Sequence, residues 1–109
     1  MKTKEFKKRL IENYLIQWVK KPSTWIWNTD GTVSVEGNVL IPKYSYPYPK
    51  LIVKFDIVTG YFDIQGNKLN TLYNFPNQIK GGMYSQGNLF FNTKEHKKYL
   101  NNHVSVQSK

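Results

Sequence analysis

The side chains that could carry acid–base or nucleophilic chemistry are few and scattered along the 109 residues. The carboxylates form no motif for paired acid–base catalysis; they are Glu5, Glu12, Asp30, Glu36, Asp56, Asp63 and Glu95. The chain has no cysteine and only two histidines, which argues against a thiol nucleophile and a histidine metal site. His96 lies among lysines and is expected to be a solvent-exposed helix residue. We therefore expect no catalytic residues, no metal and no cofactor.

Positive charge points to binding rather than to catalysis. The chain has 16 Lys and Arg residues against 7 Asp and Glu, a formal net charge of +9. The basic residues cluster near the two ends, at Lys4, Lys7, Lys8 and Arg9 and at Lys94, Lys97 and Lys98. Such a charge attracts nucleic acid and acidic protein surfaces alike. Because Arg9 is the only arginine, and arginine is the usual reader of bases, an acidic protein or nucleoprotein complex is the expected partner, with nucleic acid the alternative.

A tract of tyrosines and prolines offers contact groups. Tyr44, Tyr46 and Tyr48 alternate with Ser45, Pro47 and Pro49, and the Tyr-Pro steps favour an extended backbone. Tyrosines presented in this way are typical of the residues that dominate binding surfaces. Two interpretations stay open: the three side chains form a contact surface, or they lie over a sheet and fill its core.

Two helices are predicted to frame the chain. Apolar residues at a period of 3.6 predict an amphipathic helix over about residues 3–21, with the stripe Phe6, Leu10, Ile11, Tyr14, Leu15, Trp18 and Val19. Pro22 ends this helix. A short helix is predicted over about residues 93–101, with Thr93 as its N-cap, followed by a polar tail over 102–109. Both helices are expected to cap the region between them.

Short alternating segments fill that central region, about residues 28–91. Three of them are predicted to be half-buried strands, at Thr32–Glu36, Gly60–Gln65 and Gly82–Gln86. Each ends at a Gly-Asn pair, and the pairs are Gly37-Asn38, Gly66-Asn67 and Gly87-Asn88. This recurrence predicts coils whose strands stack in parallel around a shared core, with the asparagines bonding the bends. The third segment is one residue shorter and is interpreted as a degenerate terminal unit; chance recurrence is the alternative.

The outward side chains of these strands are predicted to form a recognition row. By alternation, the row brings Tyr61, Asp63 and Gln65 beside Thr32, Ser34 and Glu36, and beside Met83 and Ser85. Such a row is the usual binding face of stacked repeats, and a purely structural row is the alternative. The predicted partner-binding residues are therefore Tyr44, Tyr46, Tyr48, Tyr61, Asp63, Gln65, Met83 and Ser85.

Two stretches carry a resemblance to a known family. Asn28–Val39 and Val53–Pro76 resemble the opening and the repeat of a family of leucine-rich-repeat-like proteins abundant in tailed bacteriophages. The repeat matches at Gly60, Phe62, Asn67, Leu69, Leu72 and Pro76, and Ile64 stands where the family commonly has cysteine. The resemblance covers about residues 28–90 and implies a phage-encoded binding scaffold without catalytic residues.

The predicted fold is a single α+β domain over residues 1–109. An N-terminal amphipathic helix caps a small leucine-rich-like β array of two to three units, and a short C-terminal helix follows. The predicted function is a non-enzymatic module that binds and sterically inhibits or redirects a host macromolecule, with a host defence nuclease complex as a hypothesis. The alternative is a basic nucleic-acid-binding protein.

Hydropathy predicts neither a membrane span nor a signal peptide. No run of 18 apolar residues occurs, and no apolar stretch of signal-peptide length follows the basic start. The expected location is the cytoplasm, of the host cell if the chain is phage-encoded. A homodimer is expected if the fold leaves an edge strand uncovered.

Overall fold

A computed structural model of the chain describes residues 2–106, with side chains from residue 5 onward. It contains two helices and seven short strands, which confirms the α+β class. The helices are α1 (Lys2–Trp18) and α2 (Lys94–His103). The strands are β1 (Thr24–Trp27), β2 (Val33–Glu36), β3 (Val39–Leu40), β4 (Phe55–Val58), β5 (Phe62–Asp63), β6 (Gln78–Ile79) and β7 (Met83–Tyr84).

The strands form two sheets, and from β2 onward successive strands alternate between them. Sheet A has the order β1-β2-β4-β6, and sheet B has the order β3-β5-β7. Strand β1 pairs antiparallel with β2, whereas the other pairs among these strands are parallel. Each pass runs from sheet A to sheet B, so three coils of the chain stack on one another. In sheet B, Val39 pairs with Phe62 and Phe62 with Met83, at offsets of 23 and 21 residues.

Glycines stack at the corner between the two sheets. The Gly60 amide donates to the Gly37 carbonyl at 2.6 Å, and the Gly81 amide donates to the Gly60 carbonyl at 2.9 Å. A Cβ on either Gly60 or Gly81 would lie 2.5 Å from the carbonyl oxygen of the preceding coil. Only glycine therefore lets the coils approach this closely without a shift of the backbone.

The register corrects two sequence predictions. Gly66-Asn67 and Gly87-Asn88 share one corner, but Gly37-Asn38 lies at the earlier corner with Gly60 and Gly81. The prediction that all three pairs mark one corner is wrong, because a coil is 21–23 residues long and the first interval is 29. The prediction of a shortened third unit is wrong as well, since Gly81 rather than Gly82 stacks on Gly60.

Two buried asparagines join successive coils. Asn88 Nδ2 donates to the carbonyls of Ile64 (2.7 Å) and Ser85 (3.1 Å), and its Oδ1 accepts from the Leu69 amide at 3.1 Å. One coil earlier, Asn67 Nδ2 donates to the Ile64 carbonyl and its Oδ1 accepts from an amide of the first coil. The predicted bonding of bends by asparagine is therefore confirmed at these two positions.

The helices cover the two ends of the stack. Leu15 and Trp18 of α1 are buried, and the Trp18 ring lies 5.6 Å from the Tyr46 ring of the first coil. Tyr99 of α2 is buried, and its hydroxyl donates to the Pro76 carbonyl. Helix α2 begins where predicted, with Thr93 Oγ1 accepting from the His96 amide. Within the described tail, Ile79 of β6 forms a parallel bridge with Val104; residues 107–109 lie outside the described residues.

Candidate functional site

The tyrosine tract divides between core and surface. Tyr46 is only 1% exposed; its hydroxyl donates to the Lys50 carbonyl at 2.7 Å and accepts from the Ile52 amide at 2.9 Å. This burial raises the pKa of Tyr46 to about 12. The prediction that Tyr46 contacts a partner is therefore wrong, because the side chain fills the core beneath α1. Tyr44 and Tyr48 are 89% and 53% exposed and remain contact candidates.

The structure confirms only some of the outward positions in the predicted recognition row. Tyr61, Asp63 and Gln65 lie outward from sheet B as predicted, whereas Met83 and Ser85 are fully buried. The assignment of Met83 and Ser85 to the row is wrong, because Met83 pairs with Phe62 and so points inward with it.

The remaining predicted neighbours lie elsewhere, and other residues take their places. Thr32, Ser34 and Glu36 belong to the β2 region of sheet A and therefore do not join the row. Leu40 and Tyr84 take positions on either side of Asp63. We call the resulting surface the sheet B face, and it consists of Leu40, Tyr61, Asp63, Gln65 and Tyr84.

Aromatic groups and one carboxylate dominate the sheet B face. The rings of Tyr61 and Tyr84 meet edge to face, with centroids 6.2 Å apart, and each residue is 37% exposed. Leu40, at the other end of the row, is 42% exposed. Asp63 Oδ1 accepts from the Gln65 backbone amide at 3.2 Å and from its Nε2 at 3.1 Å. The carboxylate is thereby oriented among apolar groups, and none of the five side chains is basic.

The predicted electrostatic residues lie on the helices that cap the stack. Lys7, Lys8 and Arg9 are exposed on α1, and the side chain of Lys4 lies outside the described residues. On α2 the exposed cluster consists of Lys94, Lys97 and Lys98. These predicted clusters therefore lie on different elements from the sheet B face, where alternation alone had placed the contact residues.

A basic cleft opens between α1 and the loops that precede the strands of sheet A. Its volume is about 660 Å³. We define it by five of its lining residues, Lys7, Lys8, Trp27, Lys54 and Tyr73. Trp27 Nε1 donates to Glu12 Oε2 at 2.7 Å, and Lys8 Nζ lies 5.4 Å from the centroid of the Trp27 ring. The cleft thus combines ammonium groups with a ring whose orientation is held by a hydrogen bond.

A second cavity of about 370 Å³ continues the cleft along α1. Both cavities are lined by Lys7, Ile52, Tyr73 and Asn74, so together they form one trough. The second cavity adds Lys50, whose Nζ lies 5.3 Å from the centroid of the Tyr73 ring. Sequence reasoning identified Lys7 and Lys8 but missed Trp27, Lys54 and Tyr73. Trp27 ends β1, Lys54 and Tyr73 lie in two different loops, and only the stacking of coils brings them together.

A serine and a histidine meet under α2. Ser85 Oγ and His96 Nε2 are 3.0 Å apart, and the exposed fractions of the two residues are 0% and 3%. The Asn92 amide donates to His96 Nδ1 at 2.9 Å, so Nδ1 is unprotonated and the proton is assigned to Nε2, which donates to Ser85. In this tautomer Nε2 does not act as a base toward the serine, and neither group meets solvent. The pair therefore anchors α2 to the last coil.

The structure also corrects the prediction that His96 is exposed to solvent. It is buried rather than solvent-exposed, because it shares the inner face of α2 with Tyr99, three residues further on. Burial lowers the pKa of His96, and the nearby Lys97 ammonium lowers it further.

Within residues 2–106, the chain has neither a cluster suited to a metal ion nor a helix suited to crossing a membrane. In residues 2–106, no group of three acidic or histidine side chains lies close enough to hold a metal ion. No helix in that part of the chain has the length and apolar character needed to cross a bilayer.

Comparison with known proteins identifies no relative. No known protein family matches the chain, and neither a curated protein nor a solved structure does so.

Proposed function

We propose that this protein is a non-enzymatic binding module that docks onto another protein through the sheet B face. The observation that carries the proposal is the cluster of Leu40, Tyr61 and Tyr84, exposed on paired parallel strands around the oriented Asp63 carboxylate. Tyrosine supplies a large contact area at a low cost in side-chain entropy, and such residues dominate the energetics of interfaces. Because the face sits on hydrogen-bonded strands, little ordering is required when a partner binds.

In the proposed binding, the positive charge steers association and the sheet B face makes the contact. The net charge of +9, of which the two helices contribute +5, steers association toward an acidic macromolecule. At the sheet B face itself, the Asp63 carboxylate suits an arginine or lysine of the partner. The proposed partner is therefore acidic overall, with a basic side chain at the centre of its contact surface.

The proposed mode of action is steric. The chain inhibits or redirects its target by covering a surface of it, and no reaction is required. That the chain is phage-encoded, acts in the host cytoplasm and targets a host protein or nucleoprotein complex rests on the resemblance of residues 28–90 to the leucine-rich-repeat-like family. A host defence nuclease complex is one target that fits a small basic protein.

Capture from host lysate with paired variants tests the proposal. The tagged protein should retain a stoichiometric partner after nuclease treatment, and Tyr61→Ala/Tyr84→Ala should lose it. Phe6→Ala is the matched control: Phe6 is a 69% exposed aromatic on α1, outside the face, so this variant should capture the partner normally.

The opposite pattern would contradict the proposal. If Tyr61→Ala/Tyr84→Ala retains the partner with unchanged affinity, the sheet B face is not the contact surface. If nuclease treatment removes everything that was captured, the chain binds nucleic acid and not protein.

A further inference from the structure

We propose that the basic cleft is a binding site for single-stranded nucleic acid, separate from the sheet B face. The site is the trough formed by the two adjoining cavities, and its functional groups are Lys7, Lys8, Lys50, Lys54, Trp27 and Tyr73.

The cleft and the sheet B face lie at different parts of each coil. The cleft is built from residues 28–31, 54 and 74, which precede β2, β4 and β6. The sheet B face lies beyond the corner formed by Gly37, Gly60 and Gly81, on and beside strands β3, β5 and β7. The two surfaces share no residue, so each can be occupied and mutated independently.

The charge of the trough suits phosphate. Four lysines line it, the Glu12 carboxylate lies beside it at the Trp27 indole, and among the described lining residues Asp30 is the one carboxylate. That carboxylate already accepts hydrogen bonds from the amide and the hydroxyl of Thr32, at 3.1 and 2.6 Å. These bonds hold the Asp30 side chain in its own turn and keep it ionised. The four lysine ammonium groups outnumber the carboxylates of Asp30 and Glu12, so the potential in the trough is positive.

The aromatic rings decide between nucleic acid and an acidic peptide. Lys8 lies over the Trp27 ring and Lys50 over the Tyr73 ring, so ammonium groups and rings alternate along the trough. Proteins that bind single strands use this combination, with bases stacked on rings and phosphates neutralised by lysines. An acidic peptide would use the ammonium groups and leave the rings without a stacking partner.

The shape favours a flexible single strand over a mononucleotide or a duplex. The first cavity alone has the volume of a small-molecule site, and the second extends it. A duplex keeps its bases stacked on each other, so they do not reach Trp27 or Tyr73. Arg9, the one arginine, does not line either cavity, so we expect binding with little sequence preference.

Fluorescence anisotropy with a labelled oligothymidine of about 16 nucleotides tests the site. The variant Lys7→Gln/Lys8→Gln/Lys54→Gln should weaken binding by about tenfold or more. It should also reduce the slope of log affinity against log salt by about 2, since each phosphate contact on a single strand contributes about 0.7. Tyr73→Ala should weaken binding by about tenfold, the usual loss for one stacked base.

Two controls separate the cleft from diffuse charge and from the sheet B face. Lys94→Gln/Lys97→Gln/Lys98→Gln removes the same charge from α2 and should leave affinity and salt slope nearly unchanged. Tyr61→Ala/Tyr84→Ala should bind oligothymidine as the parent protein does. Loss of protein capture in that variant therefore has no bearing on the nucleic-acid site.

Three results would overturn the inference. Equal weakening by the two triple-lysine variants would mean that the overall charge, and not the cleft, binds the strand. Competition by polyglutamate at the same charge concentration, as effective as unlabelled oligothymidine, would assign the trough to acidic peptides. Binding of a duplex as tightly as of the single strand would exclude stacking on Trp27 and Tyr73.

Discussion

Burial gives the tyrosines of residues 44–48 different structural roles. Tyr46 lies beneath α1 and bonds two backbone groups through its hydroxyl, whereas Tyr44 is almost fully exposed. Both belong to the same alternating tract, so their sequence context is nearly identical. The difference arises because the ring of Tyr46 meets Tyr14 and Trp18, both supplied by α1.

Removing the Tyr46 hydroxyl should therefore cost stability and spare binding. Tyr46→Phe leaves the Lys50 carbonyl and the Ile52 amide without this partner, at a cost of about 1–3 kcal/mol in the free energy of unfolding. Urea denaturation measures the loss, and Tyr44→Phe is the control, with an expected change below about 0.5 kcal/mol. Equal stability of the two variants would show that the buried hydroxyl bonds contribute nothing.

His96 should make stability depend on pH. Its pKa in the folded state lies below 6.5, so the unfolded state binds the proton more readily. The contribution of neutral His96 to the free energy of unfolding is therefore complete above about pH 6.5. It is lost as the pH falls below that value. Protonation of Nδ1 would also break the bond from the Asn92 amide.

Denaturation between about pH 7.5 and about pH 5 measures this dependence. The His96→Gln variant should have a flatter pH profile than the parent protein, because glutamine does not titrate. Asn102→Gln, at an exposed position of the same helix and without a titratable group, should keep the parent profile. A His96→Gln profile as steep as that of the parent would assign the acid sensitivity to other groups.

At the scale of the elements, the coils are joined by side chains as well as by strands. Strands of two to four residues make few ladder bonds, so the amides of Asn67 and Asn88 add links between coils. Each asparagine satisfies carbonyls and an amide that the bend would otherwise bury without partners. The repeated placement of this residue type therefore has a physical cause in the bend itself.

Substituting Asn88 should loosen the second and third coils. Asn88→Ala leaves the Leu69 amide and the carbonyls of Ile64 and Ser85 without these bonds, and we expect a loss of about 2 kcal/mol or more. Thermal denaturation should show a midpoint lower by about 10 °C. Asn70→Ala, at an exposed position, should stay within about 0.5 kcal/mol of the parent. Similar small losses in both variants would mean that water replaces the Asn88 bonds at little cost.

At the scale of the whole molecule, the stack depends on its ends. A coil buries its apolar face only against a neighbour, so the outermost coils need covers. Helix α1 covers the first coil through Leu15 and Trp18, and α2 covers the last through Tyr99. Beyond α2, the chain also pairs with β6, where the Ser105 amide donates to the Ile79 carbonyl at 2.9 Å.

Deleting the C-terminal cover should expose an edge that pairs with other copies. A chain that ends after Asn92 loses α2 and the bridge to β6, and uncovered strand edges associate. Light scattering after size-exclusion chromatography should show dimers or larger species of the truncated chain. The full chain should have a smaller mass in the same measurement. A truncated chain that stays monomeric and unfolds in one sharp transition would show that the cover is dispensable. Dimerisation of the full chain stays a prediction.

Local patterns in the sequence were enough to predict both helices and the alternation around Phe62. A helix stripe and a strand alternation depend on neighbours within a few residues, which the sequence displays directly. Strand β3 has only two residues, too few for a pattern. The alternation around β7 does not show which of its residues face inward, because that depends on Gly81 stacking on Gly60. The outward positions of Tyr61 and Asp63 could therefore be predicted, whereas their neighbours Leu40 and Tyr84 could not.

By itself, the sequence determined the α+β class, the capping helices, the charge and the residues whose direction follows from local alternation. Only the tertiary structure decided which glycines share a corner, that Met83 and His96 face inward, and that Trp27, Lys54 and Tyr73 meet Lys7. The physical reason is that register between coils depends on contacts between residues 21–23 positions apart. A shift of one residue in that register reverses which side chains are buried, and no local pattern records it.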